Sequence, residues 1–339
     1  MTPAYRAVVL DAPGAARIAE VPLAAPGPGE VRVRVRAAGI CGSDREVYDG
    51  TRPAPYVRYP VTPGHEWAGT VDATGAGVDP GLAGRTVVAE GFVSCRTCER
   101  CRAGETSLCT APYDETGFTR PGAFAEYVYV PARLLHVLPD DADPRAAALL
   151  EPAAVIAAAV LTARPRPAER IAVVGGGTLG LLAVQLLAAH SPAALLLVEP
   201  RGERARQARG FGATATATPA EADAYTGAHD LVLETAGAPG SAARAVTLAR
   251  RGGRVVLTGI PKPGAHGVDP VDLALRQLTL HGVFGAPSAA WSYAVRAFGA
   301  GLLAPAPLIT HELPLEDYDK AVHLVGGGDP TVGKVLLRP

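Results

Sequence analysis

The sequence has no excess of charge of either sign: 32 basic residues stand against 33 acidic ones over 339 positions, a net charge of −1. That balance gives no reason to expect nucleic acid or an anionic membrane as a partner. It also lacks a bilayer-spanning run, because the longest apolar stretch, Ala146 to Ala163, is broken by Glu151 and Pro152. The opening Met1-Thr-Pro-Ala-Tyr-Arg-Ala-Val-Val-Leu has no apolar core of a signal peptide and reads as a first strand. Cysteine is scarce, with five residues of which four form one cluster. An odd thiol count of this kind fits a reducing compartment, so the expectation is a soluble cytoplasmic protein.

What remains is ordinary globular material, 48% hydrophobic and 19% charged, in a chain longer than one core usually supports. The expected fold class is α/β in two parts. Residues 1–150 are strand-like and broken by Gly and Pro, as in the alternating Glu30-Val-Arg-Val-Arg-Val-Arg-Ala, and suggest a barrel-like β domain. Residues 151–285 alternate strand and helix, which implies a doubly wound parallel sheet of the Rossmann type. Residues 286–339, with strand-like Leu308–Leu313 and Gly333–Leu337, are expected to return to the first domain and complete it.

The cysteine cluster is Cys95-Arg-Thr-Cys98-Glu-Arg-Cys101 followed by Cys109. A tetrahedral zinc ion gathers four thiolates from one short loop, whereas cysteines three apart rarely reach disulfide geometry without distortion. A structural zinc lobe is therefore expected, and it leaves Cys41 over.

Gly175-Gly-Gly177-Thr178-Leu179-Gly180 fits the dinucleotide pattern G-x-G-x-x-G. Glycine-rich turns are common in a chain with 39 glycines, so its weight comes from context. The apolar strand from Ile171 precedes it, an apolar helix follows, and Glu199 ends the next strand nineteen residues beyond Gly180. The glycines would let backbone N–H groups approach the pyrophosphate at the helix N-terminus. Glu199 would accept hydrogen bonds from the adenosine ribose, which favours NAD. Arg201 and Arg204, close by, would accommodate the 2′-phosphate of NADP.

Cys41 sits in Gly39-Ile-Cys41-Gly-Ser43-Asp44, and His65 in Pro63-Gly-His65-Glu66. Each follows a strand-like stretch and is flanked by glycine. A lone Cys or His is more often a core residue, but Glu151 adds a third candidate at the junction of the two halves. A thiolate, an imidazole and one or two carboxylates make an open zinc site, in which the metal acts as a Lewis acid on a substrate oxygen.

Together these motifs, with the Glu151-Pro152 pair, resemble the zinc-dependent medium-chain alcohol dehydrogenases over essentially the whole chain. Glutamate at 151 resembles the sorbitol and threonine dehydrogenase branch. The resemblance implies catalytic zinc held by Cys41, His65 and Glu151, with Glu66 as ligand or close partner. It further implies that Ser43 passes the substrate proton outward, that Asp44 orients His65, and that hydride moves between a secondary alcohol and NAD(P). It implies a homo-oligomer, either dimer or tetramer.

Two positions depart from the family pattern. Glu46 stands where many members carry a relay histidine: it passes the proton, or the relay ends at Ser43 and water, or Glu46 is a surface charge. Ala158 stands where polyol members often carry histidine. Among substrates, Glu115, Arg120 and Tyr48-Asp49 are candidates for binding hydroxyl or amino groups, or are ordinary loop residues. The run Gly117-Phe-Thr-Arg-Pro-Gly-Ala with Asp317-Tyr-Asp-Lys320 is similar to the aminocyclitol enzymes that act on 2-deoxy-scyllo-inosamine in antibiotic biosynthesis. A polyol, a sugar, or another natural-product alcohol is the wider expectation. Rival readings are a zinc-free quinone or enoyl reductase and a non-catalytic nucleotide-binding protein. The other histidines lack ligand spacing; His266 alone follows a sheet strand in a way that suggests proximity to cofactor.

Overall fold

The computed structural model describes residues 3–261 and 267–339, so His266 lies outside the described residues. Two compact units divide the chain, Met1–Glu151 with Pro305–Pro339, and Pro152–Ala304.

In the first unit, β1 (Ala4–Ala12) and β2 (Ala15–Pro22) form an antiparallel ribbon. The larger sheet is built on β3 (Glu30–Ile40), β4 (Glu66–Thr74), β5 (Thr86–Ala89), β6 (Tyr127–Pro131) and β7 (Leu135–Val137). The alternation of β3 buries Val31, Val33 and Val35, while Arg34 and Arg36 face solvent. These valines join Val8, Leu10, Trp67, Phe118 and Phe124 in one core.

The second unit carries β8 (Arg170–Val174), β9 (Ala194–Val198), β10 (Ala215–Ala217), β11 (His229–Glu234), β12 (Ala249–Leu257) and β13 (Thr279–Gly282). Their order is β10-β9-β8-β11-β12-β13 and every pair is parallel, the 3-2-1-4-5-6 arrangement of a dinucleotide-binding fold. The strands read as near-continuous apolar runs because both faces are covered.

The return to the first unit falls at Pro305, not at 286. The helix Ser288–Gly299 buries Ala290, Trp291, Ala294 and Ala297 and belongs to the second unit, an amphipathic pattern that the sequence reading passed over. The final segment then supplies β14 (Ile309–Pro314) and β15 (Lys334–Arg338), and β15 pairs antiparallel with β3. No described helix is long and apolar enough to cross a membrane.

Candidate active site and metal centres

Antiparallel pairing of β3 with β4 sets Gly39 opposite Glu66, so the end of one strand meets the start of the next. A Cβ at position 39 would lie 2.3 Å from Glu66 Oε2, and glycine is what allows this carboxylate in. Gly64, at φ +100°, packs on Phe124 where any side chain would collide, and His65 follows it immediately before β4. Cys41 caps the helix Gly42–Asp49, and its N–H donates to Asp44 Oδ2 at 2.8 Å. Asp44 is thereby fixed, with Oδ1 3.4 Å from His65 Nδ1. One ligand atom each of Cys41, His65 and Glu66 lies within 4.8 Å of the others.

A lysine completes the electrostatics. Lys334 Nζ donates to Glu66 at 2.9 and 2.6 Å and to the Ile40 carbonyl at 3.2 Å, all within the core. Burial opposes the lysine's charge, but Glu66, Cys41 and Glu151 hold its pKa above the ordinary value. Burial likewise opposes charging of His65, yet Asp44 and then Cys41 outweigh it and raise its affinity for a proton. Glu151, in the helix Leu150–Ala163, stands outside the trio of close ligand atoms. Desolvation, partly offset by His65 and reinforced by Glu66, raises its pKa. A thiol, an imidazole and a carboxylate gathered within 4.8 Å, with Glu151 as a further carboxyl whose charge they feel, form a donor set that fits a divalent zinc ion.

Cys95, Cys98, Cys101 and Cys109 also bring their sulfurs within 4.8 Å of one another. Arg96, at φ +62°, bends the loop so that backbone N–H groups face the sulfurs. Cys98 N–H donates to Cys95 Sγ at 3.4 Å, Cys101 N–H to Cys98 Sγ at 3.5 Å, and Cys95 N–H to Cys109 Sγ at 3.4 Å. Hydrogen bonds from Thr97 and from the backbone lower the Cys95 pKa, whereas burial raises that of Cys101. Such N–H···S contacts stabilise thiolates, the form that binds metal.

In the second unit, Gly175 at φ +102° follows β8 and abuts Ala236, and Gly177 caps the helix Thr178–Ala188. A Cβ on Gly180 would stand 1.7 Å from the Gly175 carbonyl, so only glycine lets this helix approach the strand. Buried Glu199 accepts the Gly176 N–H at 2.7 Å through Oε2 and the Arg201 N–H at 3.0 Å through Oε1. Arg204 approaches Gly177, and burial, then Arg201, lowers its pKa. Thr178 and Leu179 form the first turn beside this loop.

The remaining sequence candidates fall in varied places. Ser43 is half-buried in the first turn after Cys41. Glu46 is half exposed and lies 3.6 Å from Arg52 Nη1. Tyr48 packs against Tyr318 and His323, Asp49 pairs with Arg45 at 2.7 Å, and Arg120 pairs with Asp114 at 2.8 Å. Glu115, by contrast, is buried in the core of the unit. Nothing local in the sequence marks Lys334, a lysine that opens the apolar strand β15 and, once covered, needs a buried partner.

Comparison with known proteins agrees with this geometry. Residues 27–140 match the alcohol dehydrogenase GroES-like domain, and residues 178–300 match the zinc-binding dehydrogenase domain. L-threonine 3-dehydrogenase of Bacillus velezensis is 33% identical over 96% of this chain and 95% of its own length. Galactitol 1-phosphate 5-dehydrogenase of Escherichia coli K12 is 32% identical over 98% of this chain and 100% of its own. The crystal structure of Escherichia coli galactitol-1-phosphate dehydrogenase superposes with a TM-score of 0.89 at 31% identity, covering 98% of this chain and all of that one. A Sinorhizobium meliloti protein solved with NADP gives 0.91 at 30% identity, covering 99% of this chain and all of that one. The chain belongs to the zinc-dependent medium-chain alcohol dehydrogenase family, whose members are oxidoreductases.

Proposed function

We propose that this protein interconverts a secondary alcohol and its ketone, with zinc held at Cys41, His65 and Glu66 and NAD on the Gly175–Gly180 loop. The observation that carries this reading is the convergence of Cys41, His65 and Glu66 at the facing ends of β3 and β4. When bound, the metal supplies Lewis acidity toward the alcohol oxygen and the nicotinamide accepts or returns the hydride. Asp44 faces His65 Nδ1 and leaves Nε2 for the metal. Lys334 holds the Glu66 carboxylate in place, and Glu151 is the further carboxyl of the site. Ser43 receives the substrate's hydroxyl proton and passes it to water. The pairing of Glu46 with Arg52 supports a surface role for that glutamate. Cys95, Cys98, Cys101 and Cys109 hold the second, structural zinc.

Glu199 supports NAD over NADP, because its carboxylate would repel a 2′-phosphate. Arg204 beside Gly177 keeps NADP within reach. The substrate class is a polyol, sugar or aminocyclitol, with an intermediate of the 2-deoxy-scyllo-inosamine type the first to try. The relatives that act on threonine and galactitol 1-phosphate support a polar secondary alcohol. A homo-oligomer, dimer or tetramer, completes the reading.

The test is cofactor reduction by metal-analysed protein with polyols, cyclitols and aminocyclitols at alkaline pH. Zinc-dependent reduction of NAD or NADP by one polar class is the expected result. Turnover that survives removal of the metal would overturn the reading.

A further inference from the structure

The loop Gly175–Gly180 is tied to the strands on both sides of β8, and one of these ties plays no part in the sheet. On the β9 side, Gly175 N–H donates to the Val198 carbonyl at 2.9 Å and Gly176 N–H to Glu199 Oε2 at 2.7 Å. On the β11 side the tie is a side chain. Thr235 directly follows β11 and is buried, with Oγ1 2.9 Å from the Gly175 carbonyl and 3.0 Å from that of Val174. The parallel pairing of β8 with β11 does not need this hydroxyl, because Thr235 N–H already donates to the Val174 carbonyl at 2.9 Å. The hydroxyl reaches one residue further, onto the turn.

Close packing fixes Thr235 where it stands. A Cβ on Gly175 would lie 2.7 Å from that of Ala236, and one on Gly180 would lie 2.9 Å from Thr235 Oγ1. Glu234 holds the chain on either side of Thr235. Its Oε1 accepts the N–H groups of Ala236 and Gly237 at 2.7 and 2.8 Å, and its carbonyl accepts the Thr258 N–H and hydroxyl at 2.9 and 2.8 Å. Glu234 and Thr258 are themselves buried. A block built from the ends of β11 and β12 therefore grips the Gly175 carbonyl. That carbonyl is the pivot of the turn, since a Cβ on Gly180 would strike it at 1.7 Å. The Gly175 and Gly176 N–H groups are already engaged, so the loop's donors for an anion come next, in the first turn of the helix Thr178–Ala188, where N–H groups lack partners within the helix.

We propose that Thr235 is a positioning residue for the dinucleotide: its hydroxyl holds the Gly175 carbonyl and so aims the N–H groups of the Thr178 turn at the pyrophosphate. This rests on the NAD(P)-dependent dehydrogenase reading given above.

The experiment measures calorimetric binding of NADH, NADPH and ADP-ribose, and of adenosine by competition, to the zinc-loaded wild type, Thr235→Val and Thr235→Ser. Valine replaces the hydroxyl by a methyl group at nearly constant shape, whereas serine keeps the hydroxyl. ADP-ribose and NADH are expected to bind Thr235→Val about three- to tenfold more weakly, as the loss of one buried hydrogen bond allows. Adenosine, which has no pyrophosphate, is expected to bind all three proteins alike, and Thr235→Ser to stay near the wild type. A general loosening of the unit would weaken adenosine as well and would not be rescued by serine. Should Thr235→Val not fold, Thr235→Ala carries the same comparison. Wild-type affinity for NADH in the variant that lacks the hydroxyl, adenosine weakened as much as ADP-ribose, or serine as damaging as valine would each overturn the inference while leaving the dehydrogenase standing. A wild type that binds neither NADH nor NADPH would instead overturn the dehydrogenase reading.

Discussion

Lys334 grips Glu66 through both carboxylate oxygens, at 2.9 and 2.6 Å, although 268 residues separate them in the chain. The contact joins the last strand to the ends of β3 and β4, where the candidate metal residues lie. Removing one partner leaves the other buried and unpaired. Lys334→Met is therefore expected to destabilise the protein by about 3–5 kcal/mol, and Lys334→Met with Glu66→Gln by less than the single change. Urea titrations of the two variants check this.

Cys98→Ser acts on a different part of the molecule. It removes a sulfur that accepts the Cys101 N–H and that the zinc lobe needs for four-fold coordination. Zinc content is expected to fall by one ion per chain, with a melting temperature at least several degrees lower, because structural zinc contributes folding free energy. Metal analysis and calorimetric melting read both outcomes.

Burial pushes the Glu115 carboxyl up to about 8, partly offset by His65 and reinforced by Glu151. An unfolded glutamate titrates near 4.3. Between those values the fold keeps a proton that the unfolded chain has released, so metal-free protein loses stability as pH rises from about 4.5 to about 8. Glu115→Gln cannot ionise and escapes this loss. Its stability relative to the wild type is expected to increase across that window, by a few kcal/mol in all, as measured by denaturant unfolding at pH 5, 7 and 9.

Glu199 holds the glycine loop through the Gly176 N–H and offers its charge where the ribose hydroxyls are expected. Glu199→Ala is expected to raise the NADP-to-NAD ratio of kcat/KM by tenfold or more, with Arg201 and Arg204 left to meet the 2′-phosphate. Initial rates with the two cofactors decide this.

Much of this was legible because the motifs are local. The cysteine cluster closes within fifteen residues, and the strand-glycine-helix order around Gly175 encodes the parallel sheet directly. Cys41 and His65 were readable from their glycine-flanked strand ends. What escaped depends on contacts between distant segments. The Lys334–Glu66 pair needs β15 beside β3, across 268 residues of chain. The boundary at Pro305 rather than 286 reflects which core the helix Ser288–Gly299 covers, and a hydrophobic face does not name its partner.

The most direct test of the metal assignment pairs zinc stoichiometry with turnover in the wild type and Cys41→Ser. The account predicts two zinc ions per wild-type chain with alcohol-dependent cofactor reduction, and one zinc ion with no turnover in a folded Cys41→Ser. A Cys41→Ser protein that retained both zinc ions and full activity would contradict it.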